Sequence, residues 1–119
     1  MSIQLTLPWP PSVNSYYRNV KGRTMLSEKG RAYKKAVSRI VLTQRAAHHL
    51  TGRLVVGIVL YPPSAMKMDI DNRVKATLDA LQNAGVFEDD SQVDSLQVTR
   101  GNTTRGVGMA QVRIETVAS

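Results

Sequence analysis

Ile3, Leu5 and Leu7 alternate with Gln4 and Thr6, the period of a short half-buried strand. Pro8-Trp9-Pro10-Pro11 ends it, because proline donates nothing to a ladder and fixes an extended path. A polar loop is predicted over 12–24. Ser27 then offers a helix N-cap, with Glu28 favourably placed in the first turn. The helix is expected to run to about residue 47. Ala36, Val37, Ile40, Val41 and Ala47 form its apolar stripe, and Lys34, Lys35, Arg39 and Arg45 occupy the other faces. Gly52 separates it from the run 54–61, apolar at both parities, which predicts a central strand covered on both faces. After a loop over 64–68, a second helix is predicted over 72–84. Its stripe is Val74, Leu78 and Leu81, and Gly85 stands where a C′ glycine belongs. Two strands, 93–99 and 107–116, flank a glycine-bearing stretch and predict a hairpin. The order β-α-β-α-β-β defines an α+β class: a single domain over 1–119 with a small mixed β-sheet and two main helices.

Composition narrows the picture. The 119 residues suit one domain, and 42% apolar content supports a real core. The longest apolar stretch, 54–61, is strand-sized and falls far short of the roughly 20 residues that span a bilayer. No basic amphipathic helix carries a bulky aromatic face, so no membrane partner is expected. Cysteine is absent, which excludes disulfides, a thiolate nucleophile and cysteine-based zinc sites. The first residues show no charged n-region followed by an apolar stretch, so a cytoplasmic protein is expected.

Charge changes the picture most. The chain carries net +7 and a sequence pI near 10.2, which points to a polyanion, nucleic acid first. Residues 1–68 hold 11 basic and 1 acidic side chains, net +10, whereas 69–94 hold 2 basic and 7 acidic, net −5. Residues 95–119 hold 3 basic and 1 acidic, net +2. A cationic body with one compact acidic segment suits a metal-dependent enzyme acting on a polyanion.

The acidic segment opens with Asp69-Ile70-Asp71-Asn72-Arg73-Val74-Lys75. On extended backbone, residues two apart point to one side, so Asp69 and Asp71 could converge on one ion. Either could instead be a helix N-cap. Lys75 lies one turn beyond Asp71, either as a surface ion pair or as a cation beside a phosphoryl group. A reversal after the second helix could return Glu88-Asp89-Asp90 toward Asp69. Clustered carboxylates repel unless a cation neutralises them, and hard oxygen donors select Mg²⁺ or Mn²⁺. Asp79 reads as support for Lys75 or as a solvated group. Tyr16, Tyr17 and Arg18 could stack on unpaired bases or anchor a loop. Lys29, Arg31, Lys34 and Lys35 form either a phosphate-facing stripe or a solvated helix face. His48 and His49 read as a helix end, Trp9 as a packing anchor, and Met66 and Met68 as loop packing.

In combination these residues resemble the RusA family of Holliday junction resolvases, small endodeoxyribonucleases of bacteria and their prophages. The resemblance runs through Leu7-Pro8-Trp9-Pro10-Pro11-Ser12 with Asn14, Gly22-Arg23, Ser27, Gly30 and Tyr33. It continues with Asp69-Ile70-Asp71-Asn72 and Lys75, Asp79-Ala80-Leu81, Ala84-Gly85-Val86-Phe87 and Asp89-Asp90. It implies a homodimer that binds four-way DNA junctions and makes paired, Mg²⁺-dependent incisions in recombination and repair. By position, Asp69, Asp71 and Asp90 correspond to metal-binding carboxylates and Lys75 to a catalytic lysine. The segments 12–15 (Ser12, Val13, Asn14, Ser15) and 65–72 (with Lys67 and Asn72) correspond to DNA-contacting loops. Tyr16, Arg18 and Arg73 are the neighbouring candidates for DNA contact. Where the family tends to carry several arginines before the Asp-x-Asp, this chain has one lysine, Lys67. Two alternatives stay open: a nucleic-acid-binding module without catalysis, and a Mg²⁺-dependent nuclease for flap or other branched DNA, or RNA.

Overall fold

The N-terminal alternation becomes β1 (Ser2–Pro8), with Ile3, Leu5 and Leu7 buried and the residues between them exposed. The computed structural model describes residues 1–65 and 67–117. Met66 therefore lies outside the described residues, whereas Met68 packs against the core.

The stretch predicted as a loop holds more order than its polarity suggested. A four-residue helix, α1 (Val13–Tyr16), runs straight into a hairpin of β2 (Tyr17–Val20) and β3 (Arg23–Leu26). Its turn, Lys21-Gly22, takes positive φ at both residues (51° and 77°), the primed geometry that matches strand twist. Ser27 then caps α2 (Glu28–Thr43) as predicted, its hydroxyl accepting from the Gly30 amide at 2.9 Å and donating to the Tyr16 carbonyl at 3.1 Å. Gly30 permits that approach, since a Cβ there would stand 2.4 Å from the Tyr16 carbonyl oxygen. The helix stops at Thr43, short of residue 47. Arg45 turns left-handed (φ 54°), the Ala46 amide reaches back to Val41 at 2.9 Å, and Ala46 is buried in place of the expected Ala47. The α2 face in the core is Tyr33, Val37 and Val41.

The run 54–61 forms β4 (Leu54–Tyr61), an interior strand, but only one of its faces is covered. Leu54, Val56, Ile58 and Leu60 are buried, while Val55, Gly57, Val59 and Tyr61 look out from the uncovered face. A single turn of 3-10 helix (Ile70–Arg73) leads into α3 (Val74–Asn83), which buries Ala76, Thr77, Leu78, Ala80 and Leu81. Gly85 closes α3 at φ 86°, with the Val86 amide bonded to Leu81 at 3.1 Å.

The predicted C-terminal hairpin does not form. The sheet order is β1-β6-β4-β5, so β6 (Met109–Thr116) lies antiparallel between β1 and β4, and β5 (Val93–Arg100) is a parallel edge strand on β4. The connection after β5 passes over the end of β4 instead of doubling back. The amides of Gly101, Thr104 and Gly106 bond to the carbonyls of Leu60, Pro62 and Pro63. β4-α3-β5 is thus a parallel crossover unit. The fold is α+β: α2 and α3 pack together against the buried sheet face. Among the described residues, no helix is long and apolar enough to cross a membrane.

Candidate active site and nucleic-acid cleft

The chain leaving β4 delivers Asp69 on extended backbone (φ −86°, ψ 128°), and the 3-10 turn begins at the next residue. Asp71 therefore sits inside the turn, and the same-side argument for two extended residues does not apply to it. The capping role fails as well. Asp69 occupies the cap position of the turn without a side-chain cap bond, and Arg73 precedes α3 without one. Both carboxylates are exposed, and neither has a hydrogen bond or ion pair among the described residues. The negative charge of both is thus left uncompensated among the described residues.

Asp90 does return toward the start of α3. Its carboxylate lies 3.6 Å from the Lys75 ammonium, so Lys75 pairs with Asp90 and not with Asp71 one turn away. The acidic run is held by a buried amide: Gln92 Oε1 accepts from the Glu88 and Asp89 amides at 2.9 and 2.8 Å. Gln92 Nε2 donates to the Leu50 and Gly52 carbonyls, and the Asp90 amide donates to Gln82 Oε1. A short 3-10 turn, Asp90–Gln92, results. Among the described residues, no three His, Cys, Asp or Glu side chains gather closely enough to enclose an ion. The donors present are two free carboxylates and a third held by a lysine.

Asp69 opens into a cleft of about 380 Å³ lined also by Ser12, Lys67, Met68, Asn72 and Arg73. The two loops singled out in the sequence, 12–15 and 65–72, therefore meet at this cleft. Arg73 ties them together: its guanidinium donates to the Pro10 carbonyl at 2.8 Å and lies over the Trp9 ring, 5.1 Å from the centroid. Burial pulls the Arg73 pKa below its ordinary value. From the far side, Arg100 donates to the Met68 carbonyl at 2.7 Å. No local pattern signals that contact, since the arginine comes from the edge strand 32 residues away.

The remaining candidates divide. Ser12 caps α1, accepting from the Ser15 amide, with Val13 half-buried behind it. Asn14, Arg18 and Lys67 are exposed, and Asn72 is half-buried with its amide on the Asp69 carbonyl. Tyr16 must be withdrawn as a DNA contact: it is fully buried, and its hydroxyl donates to Asp79. Burial and that carboxylate push its pKa far up. Asp79 in turn does not support Lys75, because Tyr16 and Lys34 (3.4 Å) claim it. His49 stands 3.9 Å from Glu88, an acidic neighbour its sequence context did not suggest. Trp9 packs against the core as expected and in addition carries Arg73.

A family model described as endodeoxyribonuclease RusA matches residues 8–115, a span that includes the cleft and every carboxylate named above. The chain belongs to the RusA family. Relatives named crossover junction endodeoxyribonuclease RusA occur in Enterobacteria phage 82, Shigella sonnei and Escherichia coli K12. Each is 40% identical over 102 residues, covering 86% of this chain and 85% of the relative. RusA-family membership thus covers the cleft loops and the acidic segment together.

Proposed function

We propose that this chain is a Mg²⁺-dependent endodeoxyribonuclease that resolves four-way DNA junctions by paired incisions, in recombination and repair. One observation carries the reading: Asp69, without a side-chain partner among the described residues, opens into a cleft walled by cationic and polar side chains from two loops, with the exposed Asp71 two residues on, in a chain of net +7. The names of the relatives support it.

The residues fit a hard divalent ion, although not as a closed cage. Mg²⁺ usually takes one or two protein carboxylates and completes its shell with water and substrate phosphate. Asp69 and Asp71 would hold it, with Asp90 as a third donor beside Lys75. When bound, Mg²⁺ (or Mn²⁺ in its place) supplies polarisation of the phosphate and a more acidic water. Lys67 and Arg73 hold the incoming strand by its phosphates, and Asn72 and Ser12 add neutral hydrogen bonds. Lys75 offsets the negative charge that builds on the phosphoryl group. No side-chain nucleophile is required. Two incisions across one junction call for two active sites, hence a homodimer acting in the bacterial cytoplasm.

The test offers equal amounts of four-way junction, flap, linear duplex and RNA to the protein with Mg²⁺. Symmetric nicks confined to the junction support resolution. Nicks on flaps or RNA redirect the substrate, and binding without nicks leaves a binding module. Asp71→Asn should abolish cutting, by at least about a thousandfold (~4 kcal/mol of barrier), while junction binding is kept or tightened. Full cutting by that variant would sink the assignment.

A further inference from the structure

β5 is an edge strand, and among the described residues no backbone bond reaches its free side. An open edge is a template for another strand, and folds usually blunt it with lysine or proline. The eight residues of β5 include neither. The one register shift of the strand lies at its start, opposite Leu54 and Val55, so the rest of the edge is regular.

The helix layer also stops short of β5. Leu96 lies beside Val56 and Val98 beside Ile58, on the face that α2 and α3 cover. Val56 and Ile58 are buried, yet Leu96 is 43% exposed. The other edge, β1, differs. Its Ile3, Leu5 and Leu7 are all buried, so a strand added there would cover no bare apolar side chain.

The residues of β5 select the occupant. Two copies related by a two-fold axis pair antiparallel, and side chains of one face meet side chains of the same face, so the axis passes through a residue. Placed at Gln97, it sets Leu96 against Val98 of the partner subunit and Asp94 against Arg100 of the partner subunit. Placed one residue on, at Val98, it sets Leu96 against an arginine and leaves Asp94 without a cation. Asp94 has an oxygen to offer, because Arg53 engages only its Oδ1. Arg100 gives one nitrogen to the Met68 carbonyl and keeps further donors. Opposite charges at the two ends, with apolar side chains between them, make the strand complementary to its own reverse.

We propose that two copies of this chain pair antiparallel through β5 with the axis at Gln97, joining two four-stranded sheets into one of eight strands. The pairing stands on the strand itself and takes from the nuclease reading only the need for two active sites. It also ties those sites together. Arg100 holds the Met68 carbonyl beside Asp69, and the Asp90 turn runs directly into Val93, so both parts of each site are attached to the shared strand.

The chain has no cysteine, so a single introduced thiol reports the axis. Residues directly opposite in an antiparallel ladder lie about 4.5–5.5 Å apart at Cα, within reach of a disulfide. Gln97→Cys in the full-length protein should therefore oxidise to a covalent dimer on denaturing gels. Gln4→Cys, exposed on β1, should not. Leu96→Lys puts a cation on each side of the axis. It should weaken self-association at least about tenfold in sedimentation equilibrium, while its far-UV circular dichroism matches the wild type. A wild type that sediments as a monomer, a covalent dimer from Gln4→Cys, or none from Gln97→Cys overturns the pairing. So does undiminished self-association of Leu96→Lys. If Gln97→Cys cross-links but the wild type never cuts a junction, the nuclease reading fails and the pairing stands; paired incisions without the cross-link do the reverse.

Discussion

Asp79 and the Asp69–Asp71 pair lie within ten residues of each other in the chain, yet they meet opposite fates. Asp79, on α3, accepts from the buried Tyr16 hydroxyl and stands 3.4 Å from Lys34, so its half-buried carboxylate is claimed by partners within the chain. Asp69 and Asp71, just ahead of α3, are exposed and have no partner among the described residues. Residue type does not separate them, and neither does the nearness of a lysine. What separates them is whether the fold consumes the carboxylate's lone pairs. In a chain of net +7, where cations are plentiful, a pair left unclaimed agrees with the ion-holding role proposed for it.

The strongest way to test that contrast, after Asp71→Asn, is Lys75→Met. Lys75 and Asp90 are both substantially exposed, so losing their 3.6 Å pair should change stability by less than about 1 kcal/mol. Cleavage should nevertheless fall about 10²–10³-fold, the range for deleting one group that stabilises transition-state charge. Single-turnover cutting of the junction measures this. A loss under fivefold would reassign Lys75 as an ordinary surface ion pair.

The opposite response is expected of Asp79→Ala. This change leaves the Tyr16 hydroxyl buried without its acceptor, and it should lower unfolding free energy in urea by roughly 2–3 kcal/mol. Cutting per folded molecule should stay within about twofold. If Asp79→Ala cut as poorly as Asp71→Asn while unfolding normally, the division between a structural and a catalytic carboxylate would collapse.

How much of this division was legible in the sequence follows from the range over which each signal acts. Ser27 as a cap, the alternation of β1 and Gly85 beyond α3 depend on neighbours within a turn, and all three appear as read. The Lys21-Gly22 turn was equally local, but its flanks, Arg18, Asn19, Arg23 and Thr24, offered no alternation to frame it. Pairing of β6 with β1 and β4 joins residues about a hundred apart at one edge, which no local pattern encodes. The site shows the same split. The acidic pair and Lys75 could be picked out by spacing. Tyr16 could not be told from a surface aromatic, because its burial depends on Asp79, 63 residues away. Arg100 was invisible for the same reason: its strand meets the cleft loop only in the folded chain.

The smallest expected effect asks which partner holds Asp79. Lys34 contributes an ion pair at 3.4 Å with its side chain 24% exposed, whereas the Tyr16 hydroxyl is buried and bonded directly. Screening weakens the first interaction, and desolvation strengthens the second. Lys34→Met keeps the aliphatic stem on α2 and deletes only the ammonium. It should cost about 0.5–1 kcal/mol, less than half the cost of Asp79→Ala, and the loss should shrink in high salt. A double-mutant cycle isolates the pair: in the Asp79→Ala background, Lys34→Met should be nearly neutral. A Lys34→Met cost that equals or exceeds that of Asp79→Ala would mean that the ammonium, not the phenol, claims the carboxylate. Asp79 would then differ from Asp69 and Asp71 by an ion pair alone, a distinction that salt could erase.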